Sequence, residues 1–341
     1  MLEGHGDDGW KYKRPLRANF SSNVLFGALD AGLAAHLQER VATVTHYPEV
    51  DARTVAAEAA FAYGVSPEQV LVTNGATEAI YLAAQLKLGG SATIFTPSFA
   101  EYEDACRLHG LQVRLQAWDR MEAGDVLATD LVFICNPNNP TGRALPLARL
   151  EGMLRDNAGS LFVVDESYIE FTMETSSLLS LLDSYPNALV LRSLTKSCRI
   201  PGLRIGSIVG QVRVIEMMGR LKMPWSVNQL ALEAARYIFK HKASFRVGVE
   251  ELLKATAAWR KELGEATGWK IHETDTHYFL METPMGAARL KQWLVEEEGL
   301  LIRDASNFRG LGPQHFRVAC QGPEENQLLT DALRRCIQTG L

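Results

Sequence analysis

The chain has 341 residues, more than one core ordinarily organises, and at ~150 residues each this suggests about two domains. Hydrophobic residues make up 47% and charged residues 22%, with a formal net charge of −5 and no basic block. That balance excludes a disordered chain and recommends neither nucleic acid nor an anionic membrane as partner.

The opening "MLEGHGDDGWKYKR" is polar and lacks an apolar h-region, so no signal peptide is expected. No apolar stretch approaches the ~20 residues that span a bilayer. "GHGDDG", Gly4 to Gly9, formally matches G-x-G-x-x-G and raises a nicotinamide-dependent oxidoreductase. That fingerprint has meaning only between a strand and a helix, and no strand precedes it here. Five cysteines (Cys106, Cys135, Cys198, Cys320 and Cys336) are scattered without a C-x-x-C pair, as expected of a reduced cytoplasmic protein. No metal site is read from the sequence.

From about residue 70, short apolar runs alternate with amphipathic ones. "VLVTN", "SATIFTP", "QVRLQAW", "DLVFICNP", "SLFVVDES" and "ALVLRSL" read as strands. "GATEAIYLAAQLKLG", "SFAEYEDACRLHG" and "LARLEGMLRDN" read as helices between them. The pattern predicts an α/β fold, with a mostly parallel sheet covered on both faces. After Gly210 the text changes. "SVNQLALEAARYIFKH" and residues 244–263 are helical, and short strands such as "HYFLMET" and "FRVAC" surround the helix "ARLKQWLVEEEG". A smaller α/β domain is expected there, joined by residues 1–40.

Ligands of open parallel sheets sit beyond the carboxyl ends of the strands. Here those ends read "TNGAT", "NPNNPTG", "DESY" and "SLTK". Gly75 allows a close backbone approach, and Ala76 and Thr77 open a helix whose free N–H groups favour an anion. The plain alternative is a helix capped by its own first turn, Thr77 with Glu78. Asp165 ends an apolar run and needs a partner for its charge unless it merely caps a helix. The stretch from Leu189 to Gly206 places Ser193, Thr195, Lys196 and Arg204 between two apolar runs. A surface loop is the plain reading of that stretch alone.

Pyridoxal phosphate uses all of these groups together. Lys196 suits its aldehyde, Asp165 its ring nitrogen, and Asn139 with Tyr168 its phenolic oxygen. The helix start at Gly75, Ala76 and Thr77, with Ser193, Thr195 and Arg204, suits its phosphate. The cofactor is an electron sink that needs a lysine and an acidic partner for its ring. Lys196, crowded by Arg204, should hold its amine below the ordinary lysine range.

"NPNNPTG", "DESYIEF" and "SLTKSCRIPGLRIG", in this order and spacing, resemble the class I/II aminotransferase family of fold-type-I pyridoxal-phosphate enzymes, and the likeness covers nearly the whole chain. The resemblance implies a large domain (41–240) with a mostly parallel seven-stranded sheet and a smaller domain (1–40 and 241–341). It implies Lys196, Asp165 and Tyr168 as catalytic residues. Tyr102, in "SFAEYEDA", is similar to the aromatic that stacks on the cofactor. Tyr47, in "HYPEVDA", is similar to the tyrosine that reaches the phosphate of a neighbouring subunit, which implies a homodimer with shared sites. Arg317, in "HFRVAC", is similar to the arginine that grips a substrate carboxylate.

Within the family the likeness is to the branch of histidinol-phosphate aminotransferase and of threonine-phosphate decarboxylase of cobalamin synthesis. "GHGDDGW", "ANFSSNV" and "LIRDASNFRGLGPQHFRVA" tilt it toward the decarboxylase. On that likeness His5 and Arg303 contact a substrate phosphate and Asn23 lies near the bound amino acid. The plain readings are a solvated His5 and a surface ion pair for Arg303. A non-catalytic, ligand-sensing member is the rival of another class, but such regulators usually add a DNA-binding domain, for which no segment is left over.

Overall fold

The computed structural model describes residues 6–121, 124 and 126–339. Strand β1 (Ala18–Asn19) is followed by seven strands of one sheet: β2 (Val70–Thr73), β3 (Ser91–Thr96), β4 (Gln112–Ala117), β5 (Leu131–Cys135), β6 (Leu161–Asp165), β7 (Ala188–Ser193) and β8 (Gly206–Gly210). Their spatial order is β2-β8-β7-β6-β5-β3-β4. The sheet is parallel except for β8, which runs antiparallel to both neighbours. Strands β2, β5, β6 and β8 are buried at every residue, as a sheet between two helical layers requires, whereas edge strand β4 is partly or fully exposed throughout.

Successive residues of each central strand feed opposite faces. Val132, Ile134, Phe162 and Val164 join one apolar cluster, and Leu131, Phe133 and Val163 join the other. The alternation explains why these runs are apolar without a break. Both faces are cores.

The remaining strands are β9 (Lys270–Ile271), β10 (Tyr278–Glu282), β11 (Leu300–Leu301), β12 (Arg303–Asp304) and β13 (His315–Ala319). β12, β13, β10 and β9 form an antiparallel sheet in that order, and β1 pairs in parallel with β11. Phe279, Met281, Phe316 and Val318 pack from this sheet onto Trp259 of the helix Val249–Thr267 and Leu329 of the helix Pro323–Gln338. The β1–β11 pairing ties residues near 18 to this smaller unit. The helix Ala31–Arg40 instead packs on the helix Gln229–Lys240, and its Leu33 belongs to a core of the large sheet. The chain thus passes between the two units before residue 31, ahead of the expected residue 40.

One of the places where the two units are fastened is a loop. Gly142 (φ 73°) ends "NPNNPTG", and a Cβ there would lie 2.5 Å from the Tyr278 carbonyl oxygen and 2.0 Å from Thr274 Oγ1. Only glycine allows this approach. The Asp275 N–H donates to the Gly142 carbonyl (3.0 Å), and the Asp275 carboxylate accepts from Ala144 N–H (2.8 Å). Among the described residues no helix is long and apolar enough to cross a membrane.

Candidate active site

The carboxyl ends of β2, β5, β6 and β7 meet the amino end of β8 at one edge of the large sheet. Because β8 runs the other way, Arg204, which precedes it, reaches the same edge as the residues that follow β2 and β7. Ala76, Thr77, Tyr102, Asn139, Asp165, Tyr168, Ser193, Thr195, Lys196 and Arg204 line one cavity of ≈ 140 Å³ there. Gly75 (φ 72°) lies beneath it, where a Cβ would come within 2.6 Å of the Arg204 guanidinium.

The helix Gly75–Leu86 has no side-chain cap from Asn74, and its Glu78 carboxylate accepts from the Asn74 N–H (2.6 Å). The capping role thus falls to Glu78. Ala76 and Thr77 face the cavity, where their main-chain N–H groups can serve an anion.

Three asparagines stand in "NPNNPTG", and two of them hold the loop. Asn136 exchanges hydrogen bonds with the Leu145 main chain (3.1 and 2.7 Å), and Asn138 donates to the Pro97 carbonyl (3.0 Å). Both Asn-Pro bonds of this loop are cis. Asn139 turns to the cavity, and its Oδ1 accepts from Arg317 Nη1. The Asn139 amide nitrogen is thereby the group left for a ligand.

Asp165, the last residue of β6, is buried. Its Oδ2 accepts from the Tyr102 hydroxyl (2.7 Å) and its Oδ1 from Ser167 N–H (2.9 Å). The Tyr102 ring is flat on Phe133 at 5.1 Å, and burial, with the Asp165 charge, drives its hydroxyl well above the ordinary tyrosine range. Burial likewise raises Tyr168.

Lys196 lines both this cavity and a second one. Its amine falls from the usual lysine value to about 8, first by burial and then by repulsion from Arg317 and Arg204. Arg204 therefore contributes as expected, but less than burial and Arg317 do. Asp7 and Asp165 pull the other way.

The second cavity, ≈ 210 Å³, shares Lys196, Asn139 and Tyr168 with the first and extends to Gly6, Asp7, Asn23, Asn307, Arg303 and Arg317. Arg303 and Arg317 are directly paired residues of β12 and β13, 6% and 5% exposed. Burial and then the Arg317 charge lower Arg303 to about 10. Arg303 donates to Asn307 Oδ1 (2.9 Å), and Arg317 donates to the Ser21 carbonyl (2.6 Å). A surface ion pair does not describe Arg303. Asn23 is buried, with neither polar atom of its amide hydrogen-bonded.

Of the expected residues that the structure describes, one is not in this gathering. Tyr47 is 85% exposed, packs on Trp225 at 5.4 Å, and lines neither cavity. His5 lies outside the described residues. Other residues here were not singled out by the sequence. Asp7 reaches the second cavity, held by Asn19 (2.6 Å to its Oδ1) and by Ser21 (2.8 Å from its N–H). Beside it, Asp8 forms a buried ion pair with Lys291 (2.7 Å). His277 is wholly buried with both ring nitrogens unpaired, and burial lowers it to about 3, so its ring is neutral. Asn307 and Arg309 stand in "DASNFRG", quoted for Arg303 alone; Arg309 pairs with Glu103 at 3.0 Å.

The donor set fits pyridoxal phosphate. A helix start, two hydroxyls, a guanidinium, a buried amine and a hydrogen-bonded carboxylate all line the same cavity.

Comparison with known proteins agrees. Residues 18–333 match the family model "Aminotransferase class I and II". The chain is 30% identical over 338 residues to threonine-phosphate decarboxylase of Salmonella typhimurium, covering 95% of this chain and 92% of that one. It is 33% identical over 293 residues to histidinol-phosphate aminotransferase of Nitratidesulfovibrio vulgaris, covering 81% and 76%. The crystal structure of L-threonine-O-3-phosphate decarboxylase from Porphyromonas gingivalis superposes with a TM-score of 0.90 at 37% identity, covering 94% of this chain and 99% of that one. A parallel sheet with one reversed strand, a lysine between two cavities and a family match over most of the length lead to one assignment: the chain belongs to the aminotransferase class I and II family, whose cofactor is pyridoxal 5′-phosphate.

Proposed function

We propose that the protein decarboxylates a small phosphorylated amino acid, L-threonine O-3-phosphate above all. The observation that carries this reading is the buried pair Arg303 and Arg317 in the wall of a cavity that ends at Lys196. Two like charges side by side away from water disfavour each other, and a ligand with two anionic groups relieves both. Threonine phosphate carries a carboxylate and a phosphate. The Salmonella and Porphyromonas relatives named for this activity support the choice.

When bound, pyridoxal phosphate supplies an electron sink for the charge left at the substrate Cα. Ala76, Thr77, Ser193, Thr195 and Arg204 bind its phosphate. Asp165, held by Tyr102 and Ser167, serves its ring nitrogen; Asn139 and Tyr168 serve its phenolic oxygen; Lys196 serves its aldehyde. Arg317 grips the substrate carboxylate. Arg303 grips the phosphate, a role the family likeness also gives to His5, and Asn23 faces the amino acid between them. Anchoring both ends fixes rotation about Cα and so selects the bond that breaks. The carboxylate leaves as CO₂, and the Lys196 amine returns one proton to Cα in its place.

Transamination of histidinol phosphate is the second reading, favoured by the Nitratidesulfovibrio relative. There Lys196 takes the Cα hydrogen instead. Incubation with threonine phosphate should release CO₂, while histidinol phosphate with 2-oxoglutarate should give no glutamate. Glutamate without CO₂ reverses the choice.

The same reading makes the protein a cytoplasmic homodimer with shared sites, acting in cobalamin side-chain synthesis. Tyr47, exposed beside the exposed Val44, Val50 and Trp225, is then the residue that reaches the partner's cofactor phosphate. Residues from the helix Ala31–Arg40 to about 240 form its large domain, and the segment before that helix with 241–341 the smaller one.

A further inference from the structure

Three side chains on the small antiparallel sheet converge away from both cavities. Glu282 on β10 is directly paired with His315 on β13 and with Lys270 on β9, and His272 follows two residues beyond Lys270. His272 Nε2 lies 2.9 Å from Glu282 Oε1, and His315 Nε2 lies 3.4 Å from the same oxygen. All three are half-buried, and their ligand atoms lie within 4.8 Å of one another.

We propose that His272, Glu282 and His315 form a zinc-binding site on this sheet, with at least one position open to water. Two imidazoles and a carboxylate are a common three-ligand set for Zn²⁺. At metal–ligand distances of about 2.1 Å, a tetrahedron has edges of about 3.4 Å. The 3.4 Å separation of His315 from Glu282 Oε1 matches that edge, and the 2.9 Å separation of His272 is about 0.5 Å shorter, so the His272 ring must draw back slightly.

The ring of His315 is also placed for it. Its Nδ1 lies 3.1 Å from the Gly312 N–H and 3.2 Å from the Gly312 carbonyl oxygen. With a proton on Nε2, Nδ1 accepts from the N–H. With the Nε2 lone pair given to a metal, Nδ1 carries the proton and donates to the carbonyl. One residue thus serves either tautomer without turning the ring, which is the outer support that metal-bound histidines require.

Lys270 is the competitor. Its ammonium lies 2.8 Å from Glu282 Oε1, but the side chain is 66% exposed and can swing into water. The spacing 272, 282, 315 resembles no zinc motif, because strand pairing rather than sequence proximity assembles the site.

The test is titration of the pyridoxal-phosphate-loaded protein with Zn²⁺ against a chromophoric chelator. One Zn²⁺ per chain should bind at micromolar concentration or below. His272→Ala and His315→Ala should each weaken it at least about tenfold. Lys270→Ala removes no ligand and should tighten binding, by up to about fivefold. Equal zinc affinity in the wild type and both histidine variants, or no uptake below millimolar zinc, overturns the site. Should the histidine variants not fold, weaker binding in Lys270→Ala overturns it instead.

Discussion

Arg303 and Arg317 stand directly opposite each other on β12 and β13, and the second guanidinium helps lower the first to about 10. Two buried cations side by side repel each other, an effect that Asp304 and Asp8 offset only in part, since Arg303 still stands below the ordinary arginine range. Arg303→Met should therefore leave the Tm of the protein without substrate unchanged or raised, measured by calorimetry. The same variant should lose about a hundredfold or more in kcat/KM on threonine phosphate. A lower Tm with normal turnover would give Arg303 a structural role only.

Lys196→Ala should abolish turnover while the circular dichroism spectrum stays native, because the loss is one of chemistry and not of packing. Borohydride reduction of the loaded wild type should fix the cofactor to the protein, and reduction of the variant should not. Full activity in Lys196→Ala would sink the assignment of this lysine.

The lowered Lys196 amine sets a pH dependence. Between about pH 8 and the ordinary lysine value of 10.5, the folded cofactor-free protein binds fewer protons than the unfolded chain, so its stability rises with pH in that window. Below about 8 both states are protonated and Lys196 contributes no slope. Cofactor uptake by the cofactor-free protein, followed by absorbance, should speed up with a midpoint near pH 8. In Arg317→Met the midpoint should move upward, since a repelling cation has gone.

Tyr102→Phe removes one of the two hydrogen bonds to the Asp165 side chain and leaves the one from Ser167 N–H. A hydrogen bond to a charged group contributes about 1.5–3 kcal/mol. If the Asp165 charge is what the chemistry uses, kcat should fall by roughly 10- to 100-fold. Asp165→Asn should be slower still with an unchanged fold, and unaltered kinetics in both variants would make the carboxylate merely structural.

Asp8 and Lys291 hold the N-terminal segment against the helix Ala287–Trp293. Lys291→Met leaves the Asp8 carboxylate with Lys11 at 3.4 Å but without its closer partner, and should loosen the neighbouring Gly6 and Asp7, which line the second cavity. The expected result is a KM raised at least about tenfold, a smaller change in kcat, and faster limited proteolysis near the N-terminus. Equal proteolysis rates would show that the ion pair does not anchor the segment.

The sequence made the first cavity readable because each of its walls is a strand end, and a polar tetrapeptide after an apolar run can be seen one segment at a time. It did not reveal that β8 runs backward, since an apolar run between two helical layers looks the same in either direction. Asn139, the asparagine of "NPNNPTG" expected at the cofactor, is the one that lines the cavity, because hydrogen bonds across the loop hold Asn136 and Asn138. The second cavity was less legible. Asp8 meets Lys291 across 283 positions, and Asp7 depends on Ser21 and Asn19, so no local spacing signals either. His277 follows Thr276 just before an ordinary strand, with nothing in the text to mark a neutral, unpaired imidazole.

The contact between Arg317 Nη1 and Asn139 Oδ1 joins recognition to chemistry through one pair of side chains. Whatever anion draws the guanidinium toward itself also tugs on the amide that looks into the neighbouring cavity. Occupancy on one side is therefore felt on the other without any hinge or moving loop, and a poorly seated substrate would leave the reaction centre imperfectly tuned.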